Sequence, residues 1–287
     1  MASALTELFV EEFRLCEIGR GQTVAVLSEG DQLRDYAETS LAAASALGAE
    51  VIDVNLNVEH AVDASERIAN VGKNPLADHP QSLQRCCDAD IVIDHMLLLF
   101  SHEQIAMQKA GARVLLVVEP EEILQRLFPS PALRQRVEAA ERRLANAKRL
   151  RFTNAAGTDV SYELGRKPIL TEYGYTATAG RWDHWPGGFL ATLATDNGVN
   201  GRVVMDVEDI IYPLKRFVRS PIEFIIKDGA VIEINGGADA DELKAFIATY
   251  DDPRAFAISH IGWGLNQGCE WSVELPGIGM DGRACYG

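Results

Sequence analysis

The sequence predicts an α/β fold: an N-terminal parallel-sheet α/β domain over residues 1–150, then an α+β domain rich in antiparallel strands over residues 151–287. Three observations predict it. Short β-branched runs alternate with helical patterns through the first half, which is how a doubly wound parallel sheet reads. The pattern changes at Arg151 to strands separated by turns. Asp228-Gly229 then sits between two apolar runs, the residue pair that a tight hairpin turn needs.

Taken in order, Leu5, Leu8, Phe9, Phe13 and Cys16 recur at spacings of three and four and predict an amphipathic helix closed by Gly19 and Gly21. Residues 23–27 read as a buried strand, 32–47 as an alanine-rich helix stopped by Gly48, and 50–54 as the next strand. A polar stretch with Asn74, Pro75 and Pro80 leads to a helix at 82–87. Residues 89–95 form an apolar strand ending in Asp94 and His95; a helix at 103–110 and a strand at 113–118 follow. In such sheets ligands gather at the carboxyl ends of the strands, where Asp94, His95 and Glu119 lie. There is no GxGxxG after the first strand, so no dinucleotide site is expected. Residues 131–148 read as a long helix whose arginines alternate with Glu138 and Glu141, a solvated face. Beyond it, residues 149–154, 159–164 and 202–207 read as strands, 222–226 and 230–234 as the hairpin, and 240–250 as a helix.

The chain of 287 residues is 47% hydrophobic and carries a formal net charge of -15. That surplus disfavours nucleic acid and anionic lipid as partners. Five cysteines without a CxxC pair read as reduced thiols of a cytoplasmic protein. Glu7, Glu11 and Glu12 stand where a signal peptide needs positive charge, and no apolar run reaches the roughly 18 residues of a membrane span.

Three stretches could carry chemistry. Residues 259–268 place His260 among Gly262, Gly264 and Gly268; the stretch is either a tight turn with one buried, hydrogen-bonded histidine or an open metal site. Residues 180–189 hold Arg181, Trp182, Asp183, His184 and Trp185 between glycines and read as a loop. Its tryptophans either wall a flat ligand that Arg181 or His184 hydrogen-bonds, or plug the core while Asp183 pairs with Arg181. Upstream, Glu172 is either an acid/base or metal-ligand group or a paired glutamate. His95 at a strand end is a candidate proton shuttle, and His102 is either another or the first turn of a helix capped by Ser101. GxSxG, HExxH and P-loop motifs are absent.

Together these segments resemble the 2,5-dihydroxypyridine 5,6-dioxygenases, on a fold shared with thermophilic-type metallo-aminopeptidases. The resemblance spans essentially the whole chain and is most specific at residues 115–120, 171–175, 180–186, 206–211, 259–265 and 280–287. It implies a non-haem iron enzyme, with Fe2+ as cofactor, that opens the ring of a small hydroxylated N-heteroaromatic with O2 to give N-formylmaleamate. A homo-oligomer is also expected. Where the peptidase branch has Glu-Leu-Gly-Ile-Gly, this chain has His260, Ile261, Gly262, Trp263 and Gly264. The peptidase Pro-x-Gly-Glu becomes Pro186, Gly187, Gly188 and Phe189. A chain lacking both glutamates is poorly suited to a pair of divalent metals, whereas histidine suits one iron in a two-His-one-carboxylate triad.

By resemblance His260 is the first iron ligand, and a later His-x-Asp pair supplies the others. The sequence stops at Gly287 before that pair, and a shortened C-terminus is the expectation. The family's base histidine corresponds here to Phe100, so either His95 or His102 takes over as the catalytic base or the substrate differs from 2,5-dihydroxypyridine, with Phe100, Trp182, His184 and Trp185 lining the substrate. Two rivals remain. One is a metallo-aminopeptidase-like hydrolase using Glu172 with Glu208 or Asp209; the other is a non-catalytic homologue without a complete metal site.

Overall fold

The computed structural model describes residues 3–56, 71–211, 214 and 216–270; Cys285 and the segment 280–287 lie outside them. The first helix, α1 (Ala4–Leu15), is capped by the Ser3 side chain, which accepts from the Thr6 N–H. Strand β1 (Thr23–Glu29), helix α2 (Arg34–Ala46) and strand β2 (Glu50–Leu56) follow. Then come α3 (Pro80–Cys87), β3 (Ile91–Asp94), α4 (His102–Ala110), β4 (Arg113–Val117), α5 (Glu121–Arg126) and α6 (Pro131–Ala145). The second half comprises β5 (Arg149–Thr153), β6 (Asp159–Glu172), β7 (Trp182–Trp185), β8 (Phe189–Met205), β9 (Ile210–Ile211), β10 (Arg216–Phe217), β11 (Ile222–Lys227), β12 (Ala230–Gly236), α7 (Ala238–Ala248) and β13 (His260–Gly264).

The predicted class is borne out. Among the described residues, one sheet runs β2-β1-β3-β4-β7 with every pair parallel. Its strands alternate between two cores because successive side chains point to opposite faces. Val24, Val26, Ile91, Ile93, Leu115 and Val117 pack with α1, α2 and α6 on one side. Ala25, Leu27, Val92, Val114 and Leu116 pack with Cys86 of α3 and Met107 of α4 on the other. The second sheet runs β12-β11-β8-β6-β5 in antiparallel order, with β13 added beside the first half of β8. Asp228 (φ 50) and Gly229 (φ 79) make the β11–β12 turn as the Asp-Gly pair predicts.

Two stretches differ from their sequence reading. The segment at 180–189, read as a loop, contains β7, and it re-enters the first sheet by pairing with β4: Val114 opposes Trp182 and Val117 opposes Trp185. The chain therefore does not leave the parallel sheet for good at residue 150. The glycine-rich stretch at 259–268, read either as a tight turn or as an open metal site, contains β13, whose Gly262 and Gly264 are held extended by pairing with Ala191 and Phe189. In both cases pairing with a strand distant in sequence overrides weak local propensity.

Candidate functional site

The buried end of β7 is built around Asp183. This fully buried carboxylate accepts N–H bonds from Tyr173 (3.0 Å), Gly174 (2.7 Å) and His184 (3.0 Å) through one oxygen. Its other oxygen takes the Arg181 guanidinium at 2.6 and 3.0 Å. Burial pushes the Asp183 carboxyl up to about 6, against the pull of Arg181 and of the Gly174 and His184 amides. Arg181 also donates to Thr171 O at 2.8 Å and lies over the Tyr173 ring, 3.9 Å from its centroid. Trp185 sits in the core, its indole N–H donating to Leu124 O at 3.2 Å. So the Arg181–Asp183 pair and the core role of Trp185 follow the structural alternative.

His184 projects from the opposite face of β7. Its Nδ1 lies 4.0 Å from Oε2 of Glu172, beyond hydrogen-bond reach. Burial pulls its pKa down to about 3, so the imidazole is neutral at pH 7. A histidine whose folded pKa is lowered stabilises the fold fully above its unfolded value near 6.5, and that contribution is lost as pH falls toward 3. At pH 5 the loss amounts to about 2 kcal/mol. His184→Gln is therefore expected to flatten the acid limb of stability, read by urea unfolding at pH 7 and pH 5 on both proteins. Asp183 acts with the opposite sign between its ordinary 3.8 and about 6. It is present in both proteins, so their difference isolates His184.

Of the candidate bases, His95 is buried with both ring nitrogens engaged: Nδ1 lies 2.7 Å from Val117 O and Nε2 lies 3.1 Å from Ser40 Oγ. His102 is the exposed first residue of α4, whose N-cap is Ser101 as expected. Phe100 is 58% exposed and has φ 63. Phe100 and Trp182 line a cleft of 620 Å³ together with Leu170, Tyr173, Arg134 and Arg181. Neither His95 nor His102 is among its lining residues. Arg134 went unnoticed in the sequence because its partner Glu138 made it look like a solvated helix face; its guanidinium also lies 4.9 Å from the Tyr173 ring centroid.

His260 borders a different cleft, of 660 Å³, lined largely by apolar side chains of the second sheet such as Tyr162, Phe224 and Ile226. The two clefts share no lining residue. His260 reaches the surface, yet its surroundings shield it enough to draw its pKa below the ordinary imidazole value. Residues 260, 262 and 264 share one face of β13. A Cβ at Gly262 would lie 2.3 Å from the Phe189 ring, so that ring lies across Gly262 on the face that carries the His260 side chain. The two positions that depart from the peptidase pattern are therefore neighbours in space. Among the described residues no group of three His, Cys, Asp or Glu side chains is arranged to hold a metal. By themselves these residues do not constitute a metal site.

The chain matches the family model of the 2,5-dihydroxypyridine 5,6-dioxygenases, NicX, over residues 4–287. It belongs to the NicX family. A 2,5-dihydroxypyridine 5,6-dioxygenase of Pseudomonas putida KT2440 is 37% identical over 290 aligned residues, covering 99% of this chain and 83% of that protein. The solved structure of 2,5-dihydroxypyridine dioxygenase from the same organism superposes with a TM-score of 0.88 at 36% identity, covering 99% of this chain and 82% of that one. Wild-type AmpT from Thermus thermophilus shares the fold alone: TM-score 0.61 at 14% identity, over 90% of this chain and 77% of AmpT. NicX membership makes this chain a ring-cleaving dioxygenase. Among the described residues no helix is long and apolar enough to cross a membrane.

Proposed function

We propose that this chain uses O2 to open the ring of 2,5-dihydroxypyridine or a closely related hydroxylated N-heteroaromatic. Both oxygen atoms enter the product as the bond between carbons 5 and 6 breaks, so no further reductant is needed. The observation that carries the reading is the placement of His260 and Phe189 on one face, an imidazole and an apolar ring where a hydrolase would want carboxylates. A dioxygenase of this kind calls for a metal; Fe2+ is our assignment, with His260 as one ligand. We place the substrate ring against Phe100 and Trp182, with His184 presenting a neutral imidazole beside Glu172 on the same face of β7 as Trp182; this placement and the ligand role of His260 are separate assignments, since their two clefts share no lining residue. Of the two candidate bases we assign the hydroxyl proton to His102, two residues on from Phe100, because His95 would first have to release Ser40 or Val117. A cytoplasmic homo-oligomer is also our assignment, and the net charge of -15 disfavours nucleic acid and anionic membrane as partners.

The test is oxygen uptake by the full chain loaded anaerobically with Fe2+, using 2,5-dihydroxypyridine and its analogues. Uptake stoichiometric with ring opening is expected. Silence with every hydroxypyridine, at stoichiometric iron, overturns the reading.

A further inference from the structure

We infer that Gln104 and Gln108 are positioning residues: their amides form a relay that fixes the width of the cleft between Phe100 and Trp182, and so which aromatic ring it admits. The inference rests on the reading of that cleft as the substrate's.

The relay has three links. The Phe100 N–H donates to Gln104 Oε1 at 2.7 Å, Gln104 Nε2 donates to Gln108 Oε1 at 2.9 Å, and Gln108 Nε2 donates to Gly180 O at 2.9 Å. Spacing of four residues on α4 puts both amides on one helix face. Their orientation is dictated by the ends. A backbone N–H at residue 100 can only donate and a backbone carbonyl at residue 180 can only accept, so each amide must point the same way.

Both ends are cleft walls. Phe100, Gln104, Gln108, Gly180 and Trp182 all line the same 620 Å³ space. The Phe100 wall is a loop that needs holding, since Leu97 (φ 64) and Phe100 (φ 63) both adopt the left-handed conformation that L side chains rarely take. Asp94 anchors its near end by accepting from Met96 N (2.7 Å) and Leu98 N (2.8 Å), and Gln104 anchors its far end. The opposite wall is drawn onto the helix. Gly180 has φ +69, and a Cβ there would lie 2.8 Å from Gln108 O, so the turn that launches β7 sits directly against α4.

Gln104→Leu cuts the relay, Gln104→Glu keeps an acceptor for the Phe100 amide, and Gln108→Leu frees only the Gly180 side. Two readouts on the full chain separate positioning from mere support. Amide exchange at Phe100 is expected to quicken by about tenfold in Q104L and to stay slow in Q104E and Q108L. In Q104L the kcat/KM preference for 2,5-dihydroxypyridine over a bulkier dihydroxyquinoline is expected to fall by about tenfold, mainly through KM. Unchanged Phe100 exchange in Q104L overturns the relay even if the wild-type chain turns over. Faster exchange with an unaltered preference overturns its role in selection. A wild-type chain that binds no hydroxypyridine overturns the substrate reading, and with it the selectivity claim.

Discussion

Replacing His260 with alanine is expected to lower ring-opening turnover by on the order of a thousandfold, the several kcal/mol that a metal ligand supports. The fold should survive the change. His260 reaches the surface, and its place beside Leu193 is kept by strand pairing through the backbone. Its imidazole is neutral at pH 7, the form that binds a metal. Iron content per chain should fall along with kcat, while the melting temperature stays near that of the parent. A variant keeping both its iron and its rate would falsify the assignment.

Asp183→Ala is expected to act on the fold itself. The change strips the partner from Arg181 and leaves the amides of Tyr173, Gly174 and His184 without their acceptor. Removing one member of a buried, hydrogen-bonded charge pair costs about 3–5 kcal/mol. For a chain of this size that lowers the melting temperature by on the order of 10 °C, read by calorimetry. A shift within a degree or two would mean that β7 is held by its pairing with β4 alone.

How much of this was legible in the sequence depends on how local each cause is. The alternating strands and helices of the first half announce themselves because the central parallel strands carry apolar runs, as in residues 114–117. The β11–β12 hairpin announces itself through Asp228 and Gly229. Strand β7 does not. Trp182, Asp183, His184 and Trp185 sit between a glycine and a proline, and what extends them is a partner strand nearly 70 residues upstream. The long strands were only partly visible. β6 runs through Gly165 and Pro168 with register shifts between Tyr162 and Leu164 and between Leu164 and Ile169, which break the alternation that would reveal it. At the site, His260 and Phe189 stood out by their departure from the peptidase pattern, but their sharing one face needed the register of β13 on β8. The Gln104–Gln108 relay was hidden because glutamines at helical spacing look like ordinary surface, and the left-handed backbone of Phe100 leaves no mark in composition.

The return of the chain to the first sheet also bears on synthesis at the ribosome. Until residues 182–185 have emerged, β4 is an open edge, and all five of its residues are buried in the finished fold. A nascent chain stalled near residue 150 thus presents an apolar strand with unpaired amides to its neighbours, the kind of template on which other chains assemble. Closing that edge with Trp182 and Trp185 makes completion of the first sheet wait on a segment that lies between two long strands of the second. The first sheet is therefore left unprotected until the opening part of the second half has been synthesised.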